Sequence, residues 1–138
     1  MVATGNVRRD TQGAGPEPAA LLGAVIALSD DAIFTCDAES RVSTWSATAE
    51  RLFGRLTAQV MRQPVKALFP DHLCDEVEDV IATVLRGDRV RHFETEVRRP
   101  DGMPLPVSLS LGPVLGGSGT PAGAVAVSYT HLDVYKRQ

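Results

Sequence analysis

The sequence is short of cysteine. Cys36 and Cys74 are the only two in 138 residues, too few for a disulfide framework, so reduced thiols are expected. It is also short of basic charge. Lys and Arg number 14 against 17 Asp and Glu, a net charge of −3, whereas a nucleic-acid binder normally shows a basic face. Long hydrophobic runs are missing too. The longest, Ala19 to Leu28, falls short of the roughly 20 residues that span a bilayer. It also lacks the close basic flank and cleavage site of a signal peptide. These absences predict a cytoplasmic protein with no nucleic-acid partner and no membrane span. Catalytic apparatus is equally scarce. Gly116-Gly117-Ser118-Gly119 lacks the Gly-Lys-Ser/Thr ending of a phosphate loop. His72 and Cys74 are too few for a zinc site, and no nucleophile–base pair or paired carboxylate motif emerges. The chain is not expected to be an enzyme.

What is present is an ordered series of short elements. Residues 1–17 mix Gly, Pro, Thr and charges without hydrophobic period and predict a disordered leader. Pro18 then opens a helix over Ala19 to Leu28 that is apolar nearly all round and needs cover on more than one side. A strand over Ala32–Asp37, a turn at Ala38-Glu39-Ser40 and a return strand over Arg41–Trp45 form a hairpin. Ser46 caps a short helix that Gly54 stops. Pro64 forbids one continuous helix over the next stretch, leaving short turns at Thr57–Met61 and Val65–Leu68. Asp71 is placed to cap a long helix, His72 to Arg86, whose Leu73, Val77, Val80, Ile81 and Val84 share one face. Phe93, Thr95 and Val97 alternate with Glu94, Glu96 and Arg98 along the next strand. Arg99-Pro100-Asp101-Gly102 is a tight turn. Leu105, Val107, Leu109 and Leu111 mark the returning strand, and Gly123–Ser128 the last. Strands flanking a helical block imply an α+β domain, a five-stranded antiparallel sheet with helices on one face and an N-terminal flanking helix.

Seven stretches in this order resemble the PAS domain, a sensory and dimerisation module of signalling proteins. They are Asp30-Asp31-Ala32-Ile33, Arg41-Val42, Ala49-Glu50-Arg51-Leu52-Phe53-Gly54 (the family's A-E-x-L-F-G), Gln63-Pro64-Val65, Leu68-Phe69-Pro70, Asp101-Gly102 and Pro106-Val107-Ser108. The resemblance covers roughly Leu21 to Ser128, with a domain over residues 18–130. It implies the strand order 2-1-5-4-3 and a small cavity between helices and sheet. The chain departs from the family pattern at Ser46, where Asn is usual, at Arg55, where an aromatic is usual, and at Arg62, where Gly is usual. Residues 131–138 resemble the spurious ends of translated fragments, which implies a module cut from a longer protein.

The resemblance also implies where ligands would lie. The cavity candidates are Ile33, Trp45, Phe53, Leu68, Val80, Phe93, Val107 and Val125. Either Ile33 and Thr35 or Phe34 and Cys36 would face inward on the first strand. The haem-binding branch places an axial His where this chain has Val77, and the light-sensing LOV branch places its reactive Cys at Val65. Neither haem nor covalent flavin photochemistry is therefore expected. Two functions follow from the resemblance. One is a sensor of a small-molecule ligand regulating a histidine kinase, diguanylate cyclase or phosphatase-type effector. The other is a ligand-free scaffold that works only by association. For either, Leu21, Leu22, Val25, Ile26 and Leu28 are candidate homodimer contacts.

Overall fold

The computed structural model describes residues 24–26, 28 and 30–130. Leu21 and Leu22, the leader 1–17 and the tail 131–138 lie outside them. Five strands form one antiparallel sheet: β1 (Ala32–Asp37), β2 (Val42–Trp45), β3 (Val90–Arg98), β4 (Pro104–Leu115) and β5 (Pro121–Tyr129). Their spatial order is β2-β1-β5-β4-β3. Between β2 and β3 the chain forms α1 (Ala47–Phe53), α2 (Thr57–Val60), two 3-10 turns (Val65–Leu68 and Asp71–Leu73) and α3 (Cys74–Leu85). This is the α+β arrangement expected from the order of elements.

Ser46 joins three of these elements. Its hydroxyl donates to the Asp31 carbonyl (2.9 Å) and accepts from the Ile33 amide (3.0 Å) and the Ala49 amide (3.0 Å). A hydroxyl has one donor and two acceptor positions, and all three are used. The same group thus caps α1 and ties it to the start of β1. Gly54 closes α1 in the left-handed conformation, φ 70°, with its amide donating to the Glu50 carbonyl. A side chain there would also crowd the guanidinium of Arg99, which comes within 3.2 Å of the position a Cβ would take.

The sheet faces are set by pairing. Phe34 lies opposite Trp45 on one side and Ala126 on the other, and Cys36 opposite Val42 and Ala124. All six are buried in one core. Phe34, Trp45 and Phe53 pack with ring centroids 5.0 to 6.1 Å apart, tilted or edge-to-face. Such pairs add about 0.5–1.5 kcal/mol beyond the area they bury. The inner face of β1 is therefore Phe34/Cys36, which resolves the choice that alternation alone leaves open. Gly123 permits the tight β1–β5 approach, since a Cβ there would collide with the Cys36 carbonyl oxygen.

Two local expectations are corrected. Asp71 does not cap the long helix. The chain first makes a 3-10 turn after Pro70, and α3 starts at Cys74 from Leu73, which offers no side-chain cap. The Cys74 thiol donates to the Lys66 carbonyl at 3.3 Å, which ties the helix start to the Val65–Leu68 turn but caps none of its amides. The third strand does not alternate throughout. Its register shifts between Val90 and Phe93, with His92 at φ 56°. Without that bulge Val90 would share the face of Glu94. With it, Val90 packs against the core. The α3 C-terminus is closed by the Asp88 amide on the Thr83 carbonyl and the Gly87 amide on the Val84 carbonyl, the paired bonds of a Schellman motif.

Two substitutions test this framework by urea denaturation. Ser46→Ala removes a cap and strands buried main-chain groups, and is expected to cost about 2–4 kcal/mol. Trp45→Ala empties the centre of the aromatic cluster, at an expected cost of about 3–5 kcal/mol. A loss under about 1 kcal/mol at either position would contradict the packing.

Candidate interior site

The space between the sheet and the helices gathers most of the cavity candidates. Trp45, Phe53, Leu68 and Val107 are buried in one cluster, and Val80 and Phe93 pack against it half-buried. Ile33 and Val125 do not join them. Val125 pairs with Thr35 and Ile33 with Val127, on the opposite face of the sheet from Phe34 and Ala126. There Val125 and Val127 line a shallow groove of about 290 Å³ with Ser110, Gly112 and Arg89. Volume explains the arrangement of β5. Ala124 and Ala126 turn inward because the aromatic side chains of β1, β2 and α1 already fill that layer, and the larger valines turn outward.

The interior is lined further by Phe69, Val77, Ile81, Val84, Val97 and Leu109, all buried. Val77 and Val65, where the resemblance would place the haem-ligating His and the LOV Cys, are both core residues. Two hydroxyls break this apolar lining. Thr95 pairs with Val107, and Ser128 with Leu109 and Ala32, so both stand on the inner face. Neither Thr95 Oγ1 nor Ser128 Oγ has a hydrogen-bond partner, and both are buried. A buried polar atom left unpaired costs about 1–3 kcal/mol. The strand alternation puts Thr95 on the inner side, but only the β5 register reveals Ser128.

At the α1 end the indole N–H of Trp45 donates to the Arg55 carbonyl at 3.0 Å, so the ring is fixed at its polar tip as well as by packing. Glu50 works on the next element. Its carboxylate accepts from the Thr57 amide (2.7 Å) and the Thr57 hydroxyl (2.9 Å), capping α2. Those bonds, the amide first, hold the Glu50 carboxyl below its ordinary range. Burial pushes the Cys36 thiol up to about 11, which leaves it protonated and inert. Among the described residues no group of three or more His, Cys, Asp or Glu gathers at metal-binding distance. No helix among them is long and apolar enough to cross a membrane.

Of the candidate dimer contacts that are described, Ile26 is buried, whereas Val25 and Leu28 are 59% and 84% exposed. The flanking segment thus turns one apolar side chain to protein and leaves two in solvent.

The five-stranded antiparallel sheet and the helical block packed on it define a small α+β domain. A family model described as "PAS fold" matches residues 27–134, and the chain belongs to that family. PAS domains are non-catalytic signalling modules, and this chain is one of them. Among solved structures, it is similar to the PAS domain of a protein from Colwellia psychrerythraea, at 18% identity and a TM-score of 0.70, covering 83% of this chain and 97% of that one. A Rhodobacter sphaeroides LOV protein matches at 19% identity and a TM-score of 0.70, over 80% of this chain and 64% of that one. The PAS domain of the fruit-fly ELK potassium channel matches at 10% identity and a TM-score of 0.67, over 84% and 98%. No curated protein matches the chain.

The Glu50 bonds generate a pH-dependent prediction. A carboxyl whose folded pKa lies below its unfolded value of about 4.3 stabilises the fold fully above that value. The contribution is lost as pH falls through the folded pKa. Glu50→Gln should therefore lower the urea midpoint at pH 7, and the gap from the parent protein should narrow as the pH is taken progressively below about 4.3. A gap that stays constant with pH would show that the charge plays no part.

Proposed function

We propose that this PAS module senses a small, mainly apolar molecule held between the sheet and α3. The observation that supports this reading is the pair of unpartnered hydroxyls, Thr95 and Ser128, in an interior otherwise lined by apolar side chains. An interior meant only for packing gains nothing from them, whereas a ligand with a polar atom would supply the missing bond. With Val77 and Val65 in place of His and Cys, we propose neither histidine-ligated haem nor a cysteinyl–flavin adduct. The module would be cytoplasmic and control an effector domain of the histidine kinase, diguanylate cyclase or phosphatase-regulating type. It would act as a homodimer, because Val25 and Leu28 of the flanking segment leave apolar side chains exposed.

A second reading has its own observation. Phe34, Trp45 and Phe53 fill the α1 end of the interior by close ring contact, which suits a ligand-free scaffold that signals through association alone.

Native mass spectrometry of freshly purified protein, compared with Thr95→Val and Ser128→Ala, separates the two. On the sensor reading a small molecule is retained, and either substitution reduces its occupancy. On the scaffold reading nothing is retained, and removing an orphaned hydroxyl leaves stability unchanged or raises it by about 1 kcal/mol. The dimer is tested by light scattering with and without residues 1–28. A monomeric mass for the complete chain at high micromolar concentration would overturn it.

A further inference from the structure

The sheet has two edges, and the chain treats them differently. At β2 the segment after α2 lies along the edge and closes it. The Val42 amide donates to the Gln63 carbonyl, the Arg62 amide to the Val42 carbonyl and the Val65 amide to the Ser40 carbonyl, each at 2.9 Å. Arg41 also bridges to Pro64. At β3 no such segment is found among the described residues, and the main chain of Phe93–Val97 bonds to β4 alone. Alternate residues of an edge strand turn their N–H and C=O groups outward, which makes a template for another strand.

The open stretch is bounded at both ends. Upstream, the bulge at His92 breaks the regular edge. Downstream, the Arg98 carbonyl is already taken by Arg55 Nη2, at 2.8 Å. Between them lies a groove of about 390 Å³, lined by Glu94, Thr95 and Glu96 together with His72, Leu73 and Pro106. It carries two carboxylates and no Lys or Arg. Neither Glu94 nor Glu96 has an ion-pair or hydrogen-bond partner among the described residues. The arginines that flank them on β3, Arg91 and Arg98, line other grooves.

We propose that this edge accepts a short extended segment of a partner protein, with Lys or Arg at alternate positions, as a sixth strand. Glu94 pairs with Ser108 and Glu96 with Pro106, so both carboxylates leave the sheet on one face. An added strand places two of its own residues, two apart, opposite them. Opposite charges in such cross-strand pairs stabilise and like charges destabilise. An acidic strand is therefore refused, and so is a second copy that sets Glu94 against Glu96. Main-chain bonds supply the hold on a segment added in this way, and its alternate side chains supply the specificity. The proposal uses the main chain and the outward carboxylates, and does not rest on the interior reading.

The test is an amide NMR titration of the complete chain with the end-capped peptide Thr-Lys-Val-Lys-Thr. One control is Thr-Glu-Val-Glu-Thr. The other is the lysine peptide methylated at every main-chain nitrogen, which keeps the charge and loses the donors. With the lysine peptide, the amide signals of Phe93–Val97 are expected to shift saturably and to gain protection from hydrogen exchange. Neither control should reproduce this. Glu94→Lys combined with Glu96→Lys, whose urea midpoint checks the fold, should weaken the lysine peptide about tenfold and admit the glutamate one. Absence of a saturable shift, shifts centred away from β3, equal affinity for the two charge types, or full binding of the methylated peptide would overturn the proposal.

Discussion

One buried hydroxyl holds the architecture together. The Ser46 hydroxyl uses its full hydrogen-bonding capacity by reaching the carbonyl before β1, an amide within β1 and the Ala49 amide in the first turn of α1. The Ser46 amide donates to the Ile33 carbonyl. With the Ser46 carbonyl accepting from the Glu50 amide, five bonds around one residue fix the angle at which α1 leaves the sheet. That angle places Phe53 against Trp45 and Phe34, and it carries the chain on to Arg55, whose carbonyl receives the Trp45 indole. The aromatic cluster is thus a consequence of the joint as much as of hydrophobic burial. The joint also shows that a serine can do this work where the family usually has an asparagine.

Much of this was legible because the local signals agree with one another. Ser46 and Gly54 bracket α1 as residue chemistry predicts, and the alternation of β4 reports its buried face. Ambiguity arose where the pattern was symmetric. In Ile33-Phe34-Thr35-Cys36 both faces are equally apolar, so only the partner strand decides, through Trp45 opposite Phe34. The β5 sequence misled for the opposite reason. Val125 and Val127 are larger and more hydrophobic than Ala124 and Ala126, yet the alanines face inward because bulky neighbours already occupy that volume. Periodicity records which residues share a face. It does not record how much room the face has.

Other misses came from local geometry that composition does not encode. Asp71 is a good cap by residue type, but Pro70 and a 3-10 turn carry the helix start past it. The bulge at His92 needs neither glycine nor asparagine here, so nothing in the residue types marks it. Its effect is nonetheless large, since it returns Val90 to the core side of a strand whose simple alternation would have exposed it.

The A-E-x-L-F-G stretch explains why the fold was easier to read than the signal. Ala49 is fully buried, and a larger residue would push α1 off the sheet. Glu50 caps the following helix through Thr57. The Leu52 carbonyl receives Arg99, Phe53 enters the aromatic cluster, and Gly54 takes the left-handed turn under that same guanidinium. Every recognisable letter is therefore consumed by the framework. The interior hydroxyls of Thr95 and Ser128, by contrast, lie at positions where the framework leaves a polar atom unpaired. A motif built from framework residues identifies the class of module, and the chemistry that distinguishes one member from another has to be sought among the polar groups that the framework leaves unsatisfied.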